Sequence, residues 1–104
     1  MTCYVDTVRE YPDAGLRYSP TGYALTGGGT LTEFCHLLAD TREELHAMAD
    51  ELGIPRRFFQ DHPWRWHHDL PAHLREQAVA RGAREVTMHE VGAILKARRA
   101  AYLG

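Results

Sequence analysis

Residues 33–53 constrain the fold more than any other stretch, because a strand period gives way there to a helix period. Residues 33–39 read as a strand, with Phe34, His36 and Leu38 on one face and Cys35 and Leu37 on the other. Leu45, Met48, Ala49 and Leu52 then recur at i, i+3, i+4 and i+7, the spacing of a helix with one face in a core. Asp40 is placed to cap that helix, with Glu43 at capping-box distance. Gly53 supplies a left-handed stop, and Ile54-Pro55 cannot continue the helix. A strand followed at once by an amphipathic helix belongs in a layered α/β domain.

The other segments repeat this alternation. Residues 2–6, 57–60 and 84–86 read as short strands. Residues 61–69 read as a polar, aromatic loop whose Asp69 caps a second helix, with Pro71 in its first turn. That helix has Leu74, Ala78 and Val79 as apolar positions, and Gly82 ends it. Thr87 and Glu90 have capping-box spacing for a last helix that buries Val91, Ile94 and Leu95. Lys96, Arg98 and Arg99 would close it, as cations suited to the negative end of a helix dipole. Residues 9–31, with Pro12, Gly15, Pro20, Gly22 and Gly27-Gly28-Gly29, read as an irregular long loop or arm. The expectation is a single α/β domain over residues 1–104. It is a small sandwich with a short, mostly parallel sheet flanked by three helices.

Size and charge narrow the functions. A chain of 104 residues covers about 60–70% of its unfolded surface and has room for one site. No stretch approaches the ~18 apolar residues of a membrane span, so no membrane partner is expected. No charged start followed by an apolar run succeeds Met1, so no secretory leader is expected either. The net charge of −2 does not favour DNA or an anionic membrane. The charge is uneven, however. Residues 1–53 hold three Arg against nine Asp and Glu, whereas residues 54–104 hold nine Arg and Lys against five. Cys3 and Cys35 lie far apart in apolar runs, as buried free thiols of a reducing cytoplasm do.

Tyr4-Val5-Asp6 opens a series of short motifs. Cys35-His36-Leu37-Leu38-Ala39-Asp40, Glu44-Leu45-His46-Ala47-Met48-Ala49, Phe59-Gln60 and His67-His68-Asp69-Leu70 follow. In this order they resemble the domain-of-unknown-function family 4031 of bacteria and phages, over most of the chain apart from 9–31. The last motif of that family reads His-Tyr-Asp. Here His68 holds the Tyr place, so the histidine of the motif falls on His67. The resemblance implies the fold and these polar residues, and no activity, because the family is uncharacterised.

Seven histidines supply the candidate chemistry. Asp6 ends the first strand, where ligands bind in open α/β sheets, and a carboxylate there can hold a divalent metal or act as a base. His36 reads either as a core histidine with one backbone partner or as a group directed at Asp6. His46 is offset ~100° from core Leu45, so it borders the sheet or faces solvent. His62, His67, His68 and His73 fall within twelve residues, beside Asp61 and Asp69, yet form no His-Glu-x-x-His or Cys-x-x-Cys zinc pattern. The candidates for catalysis are Asp6, His36, His67 and Asp69. The candidate ligands of a divalent metal are Asp6, His36, His67 and His68. His46, Arg57, Gln60 and Trp66 are candidates for binding a small molecule or nucleotide.

Two functions follow. One is a metal-dependent or acid/base hydrolase acting on a phosphate ester or nucleotide. The other is a non-enzymatic module for nucleic acid, nucleotide or protein, using Arg56, Arg57 and Arg65 interleaved with Phe58, Phe59, Trp64 and Trp66. The same arginines can instead cover aromatic faces within the domain. A third arrangement is a homo-oligomer in which Tyr11, Tyr18 and Tyr23 of the arm pack on a neighbour.

Overall fold

The structure is a computed structural model that describes residues 2–10 and 33–104. Its strands are β1 (Cys3–Val5), β2 (Arg9–Glu10), β3 (Glu33–Ala39), β4 (Phe59–Gln60), β5 (His67–Pro71) and β6 (Arg84–Glu85). The helices among the described residues are α1 (Arg42–Glu51), α2 (Ala72–Ala80) and α3 (Met88–Leu103), with a 3-10 turn at Arg56–Phe58. The arm expected over 9–31 begins instead with strand β2. From residue 11 it lies outside the described residues, as do its three tyrosines. No helix among the described residues is long and apolar enough to cross a membrane.

The sheet runs in the order β4-β5-β3-β1-β6, with β2 also paired to β3. It is not mostly parallel: among the described residues β1 and β6 form the one parallel pair, and the other four pairings are antiparallel. The reason lies in which strands become neighbours. Helix α1 joins β3 to β4, and these run the same way, but β5 lies between them. Helix α2 joins β5 to β6, which also run the same way, with β3 and β1 between. Each helical crossover thus links parallel strands, as strand–helix alternation demands, while an oppositely directed strand, β5 in the first case and β3 beside the co-directed β1 in the second, intervenes.

The sheet separates two apolar layers. On one side Val5, Cys35, Leu37 and Leu70 pack with Leu45 and Ala49 of α1 and Leu74 and Ala78 of α2. On the other, Leu38 and Val86 pack with Val91 of α3, bordered by Tyr4, Ile94 and Leu95. Both cysteines are buried free thiols, and burial pushes Cys3 up to about 11 and Cys35 up to about 12. The cap of α1 falls one residue later than the expected Asp40–Glu43 pair. The Thr41 hydroxyl accepts the Glu44 N–H, and Asp40 instead accepts the Thr2 N–H (3.1 Å) and the Tyr4 hydroxyl (2.7 Å). The Thr87–Glu90 capping box of α3 is present. Gly53, at φ 75, is the left-handed stop after α1.

Helix α3 runs on to Leu103, so Lys96, Arg98 and Arg99 do not form its last turn. Arg98 has a different task. Its guanidinium lies 3.5 Å from the Trp66 ring centroid and donates to the carbonyls of Ala39 (2.7 Å), Trp66 (2.8 Å) and Trp64 (3.3 Å). Burial lowers its pKa to about 10. A planar fork that stacks and donates at once ties the long helix to the end of β3 and the entry to β5. Arg98→Ala should cost about 2–4 kcal/mol in urea denaturation, because charged hydrogen bonds and buried carbonyls are lost together. Arg98→Lys should restore less than half of that, since a point charge cannot reproduce the fork.

Candidate metal centre

The site begins at a break in the β3 ladder. Pairing with β1 ends at Val5 opposite Leu37, and pairing with β2 resumes at Arg9 opposite Phe34. Asp6 stands in the gap. Its N–H donates to the His36 carbonyl (3.3 Å), but its side chain takes the return bond by accepting the His36 N–H. The other carboxylate oxygen lies 2.7 Å from His36 Nδ1. Arg75 of α2 donates to the Asp6 carbonyl (2.9 Å) and to Glu85 (2.8 Å), which fastens the helix over the junction.

This pairing decides what His36 can do. A carboxylate accepts only, so Nδ1 carries the ring proton and Nε2 points away from Asp6. The hydrogen bond to Asp6 raises the His36 pKa, against burial, which lowers it. A more basic, oriented ring is a better metal ligand.

Strand β5 brings the partners. Asp69 stands directly opposite His36, and the two-residue period puts His67 on the same face. His67 Nδ1 lies 2.7 Å from the Arg65 carbonyl and must donate to it, and Nε2 lies 3.1 Å from Asp69 Oδ1. The His36 and His67 rings meet edge to face at 5.0 Å. One ligand atom from each of His36, His67 and Asp69 lies within 4.8 Å of the others. Beside them is a cavity of ≈ 180 Å³ lined by His36, His67, Arg65 and the hydrocarbon side chains of Leu38, Met88, Val91 and Leu95.

The other expected site residues are placed elsewhere. Asp6 is fully buried behind His36, so it orients that ring rather than joining the three. His68 does not join them because residues 67–71 form a strand, not a loop, and successive strand residues face opposite ways. For the same reason Asp69 caps no helix; Pro71 occupies the cap position of α2 without a side-chain bond. His68 is fully buried near His46 (ring centroids 5.9 Å apart) and Phe59 (5.4 Å). Neither of its ring nitrogens, nor Nδ1 of His46, has a hydrogen-bond partner among the described residues. Burial lowers the pKa of both rings, that of His68 to about 4.

Trp66 is buried between Arg98 and Arg42, Arg57 lies over Phe58, and Gln60 pairs with His67 in the ladder and donates to the Phe58 carbonyl. His62 closes its own turn by accepting the N–H groups of Trp64 and Arg65, while His73 and His89 are exposed. Sequence reasoning missed Arg75, the Arg65 carbonyl and the α3 wall. No local spacing signals them, because each reaches the site from a separate element.

A sequence model described as a protein of unknown function, DUF4031, matches residues 24–98, well over half of the chain. The chain belongs to the DUF4031 family. No curated protein and no solved structure matches it. The DUF4031 match takes in His36, His67 and Asp69 and leaves Asp6 outside.

Two measurements follow from this geometry. Asp6→Asn should return the His36 pKa toward its ordinary value, read from the ring C–H signals in an NMR titration, because the carboxylate is the main cause of the rise. An unmoved titration would contradict the pairing. His68 makes stability depend on acid. The unfolded chain binds a proton there below the ordinary 6.5, the folded chain only below about 4, so stability falls as pH drops between these values. The loss should approach about 3 kcal/mol, and His68→Leu should remove it. His36 acts with the opposite sign, since its raised pKa adds stability below the ordinary value and loses it as pH rises through the folded one.

Proposed function

We propose that this protein is a metal-dependent hydrolase of phosphate esters in which His36, His67 and Asp69 hold one divalent transition ion. The convergence of their ligand atoms within 4.8 Å on one sheet face carries the reading. Two imidazoles and a carboxylate are the donor set of catalytic zinc sites that keep a position open for water. Each histidine also has its other nitrogen committed, His36 to the Asp6 carboxylate and His67 to the Arg65 carbonyl, as metal-bound histidines do. A bound ion would supply an activated water and polarise the ester. The chain itself orients both rings and lines the adjoining cavity with Arg65, whose guanidinium lies 3.1 Å from His62 Nε2 and would have to turn from it to pair with a phosphate oxygen.

The binding-module reading has less support. Arg56 is paired with Asp50 (2.9 Å), Arg57 lies over Phe58, and Trp66 is covered by Arg98 and Arg42. These groups satisfy one another inside the domain.

Elemental analysis of tag-free protein purified without chelator should find about one equivalent of zinc or a similar ion. Zinc at about a hundred times its Kd should add about 2.7 kcal/mol of stability. His36→Ala, His67→Ala and Asp69→Ala should each weaken zinc binding by at least about 100-fold. Protein free of metal, with a melting temperature unmoved by Zn²⁺, Mn²⁺ and Mg²⁺, would overturn the reading. Ester hydrolysis that survives chelation would point to acid/base chemistry by the same residues.

A further inference from the structure

We infer that the ester group cleaved at this site belongs to a small hydrocarbon alcohol or phenol, about the size of a phenyl ring, seated between β3 and α3. The inference rests on the metal-dependent reading above and adds the substrate class. The two-residue period that turns His36 to this face also places Leu38 beside it. Met88, Val91 and Leu95 recur at i, i+3 and i+7 on α3 and form the opposite wall. The capping box of Thr87 and Glu90 fixes the start of that helix, and with it the Met88 end of the wall.

Volume and lining then select the occupant. The cavity is ≈ 180 Å³. A dry apolar cavity of about 150 Å³ accepts benzene, whereas sites for larger ligands begin near about 300 Å³. A ribose with its base exceeds that volume and would not be enclosed, which narrows the phosphate-ester class away from nucleotides. Among the described lining residues Arg65 alone carries a permanent charge, and it matches the anionic end of a monoester. In the hydrolysis a P–O bond forms to the water oxygen and the P–O bond to the alcohol breaks. The proton lost by the water ends on the departing alcohol, and no oxidant or reductant takes part.

The test uses three stable probes on zinc-loaded protein: phenylphosphonate, methylphosphonate and adenosine 5′-monophosphate. Phenylphosphonate should bind at least about tenfold tighter than methylphosphonate, the gain expected from burying one ring. It should shift the methyl NMR signals of Leu38, Met88, Val91 and Leu95. Adenosine monophosphate should gain nothing over methylphosphonate. Leu95→Trp, which fills the cavity, should erase the phenyl preference over methylphosphonate. Leu95→Ala should widen the cavity and extend the preference to naphthylphosphonate. Equal binding of the phenyl and methyl probes, or tighter binding of adenosine monophosphate, would overturn the inference while leaving the zinc site standing. If zinc is not taken up, the hydrolase reading fails by itself. Phenylphosphonate then still decides on the cavity: shifts at the four methyl-bearing residues uphold it, and unmoved signals overturn it.

Discussion

At the gap between β1 and β2 a buried carboxylate takes the place of a backbone carbonyl. Asp6 is fully buried, and a charge there is tolerable only if strong donors surround it. It has them: the His36 N–H on one oxygen and the His36 ring on the other. The arrangement lets the chain leave β3 after Val5 and rejoin it at Arg9 without orphaning the His36 N–H. It also fixes the ring proton on Nδ1, so Nε2 is aimed outward. Arg75 then binds the Asp6 carbonyl and Glu85, so α2 and the end of β6 depend on the same junction. One residue thus sets a strand break, a histidine orientation and a helix position.

The second constraint is the alternation along β5. His67 and Asp69 face the site, and His68 and Leu70 face the α1 side of the sheet. Adjacent histidines with the same chemistry meet opposite environments as a result. His67 is oriented by a carbonyl and faces a carboxylate. His68 sits in apolar surroundings with both nitrogens unpartnered and is held neutral. A register shift of one residue would exchange them, moving the carboxylate of Asp69 into the core and the site's ligands away from His36. The pairing of Phe59 and Gln60 with His68 and His67 guards against this from the other edge.

Much of this was legible in the sequence where the signal is local. The strand at Glu33–Ala39, the core face of Leu45, Met48 and Ala49, the Gly53 stop and the Thr87–Glu90 box all depend on residues within one element. Strand β5 was not legible. His-His-Asp-Leu-Pro lacks β-branched residues, and its Pro reads as a helix start. It is a strand because the ladders to β3 and β4 hold it, a tertiary effect that propensity does not contain. The direction of pairing was hidden for a similar reason, since helices reveal crossovers but not what fills the space between the joined strands. The candidate site was legible as a set of residue types; which of them share a face required the register.

The two carboxylates of the site differ in exposure, and the difference fits their tasks. The Asp6 side chain is 0% exposed and that of Asp69 is 20% exposed. Asp6 has a permanent covalently tethered partner whose backbone and ring both donate to it, so it can be sealed. Asp69 faces His67 Nε2 at 3.1 Å, while Nδ1 of that ring is committed as the donor to the Arg65 carbonyl. A lone pair on Nε2 and a carboxylate oxygen at that distance repel unless something positive lies between them. A metal ion bound there, as proposed above, would meet that need. Water and ions can reach His67 and Asp69, whose side chains are 21% and 20% exposed, but not the sealed carboxylate of Asp6.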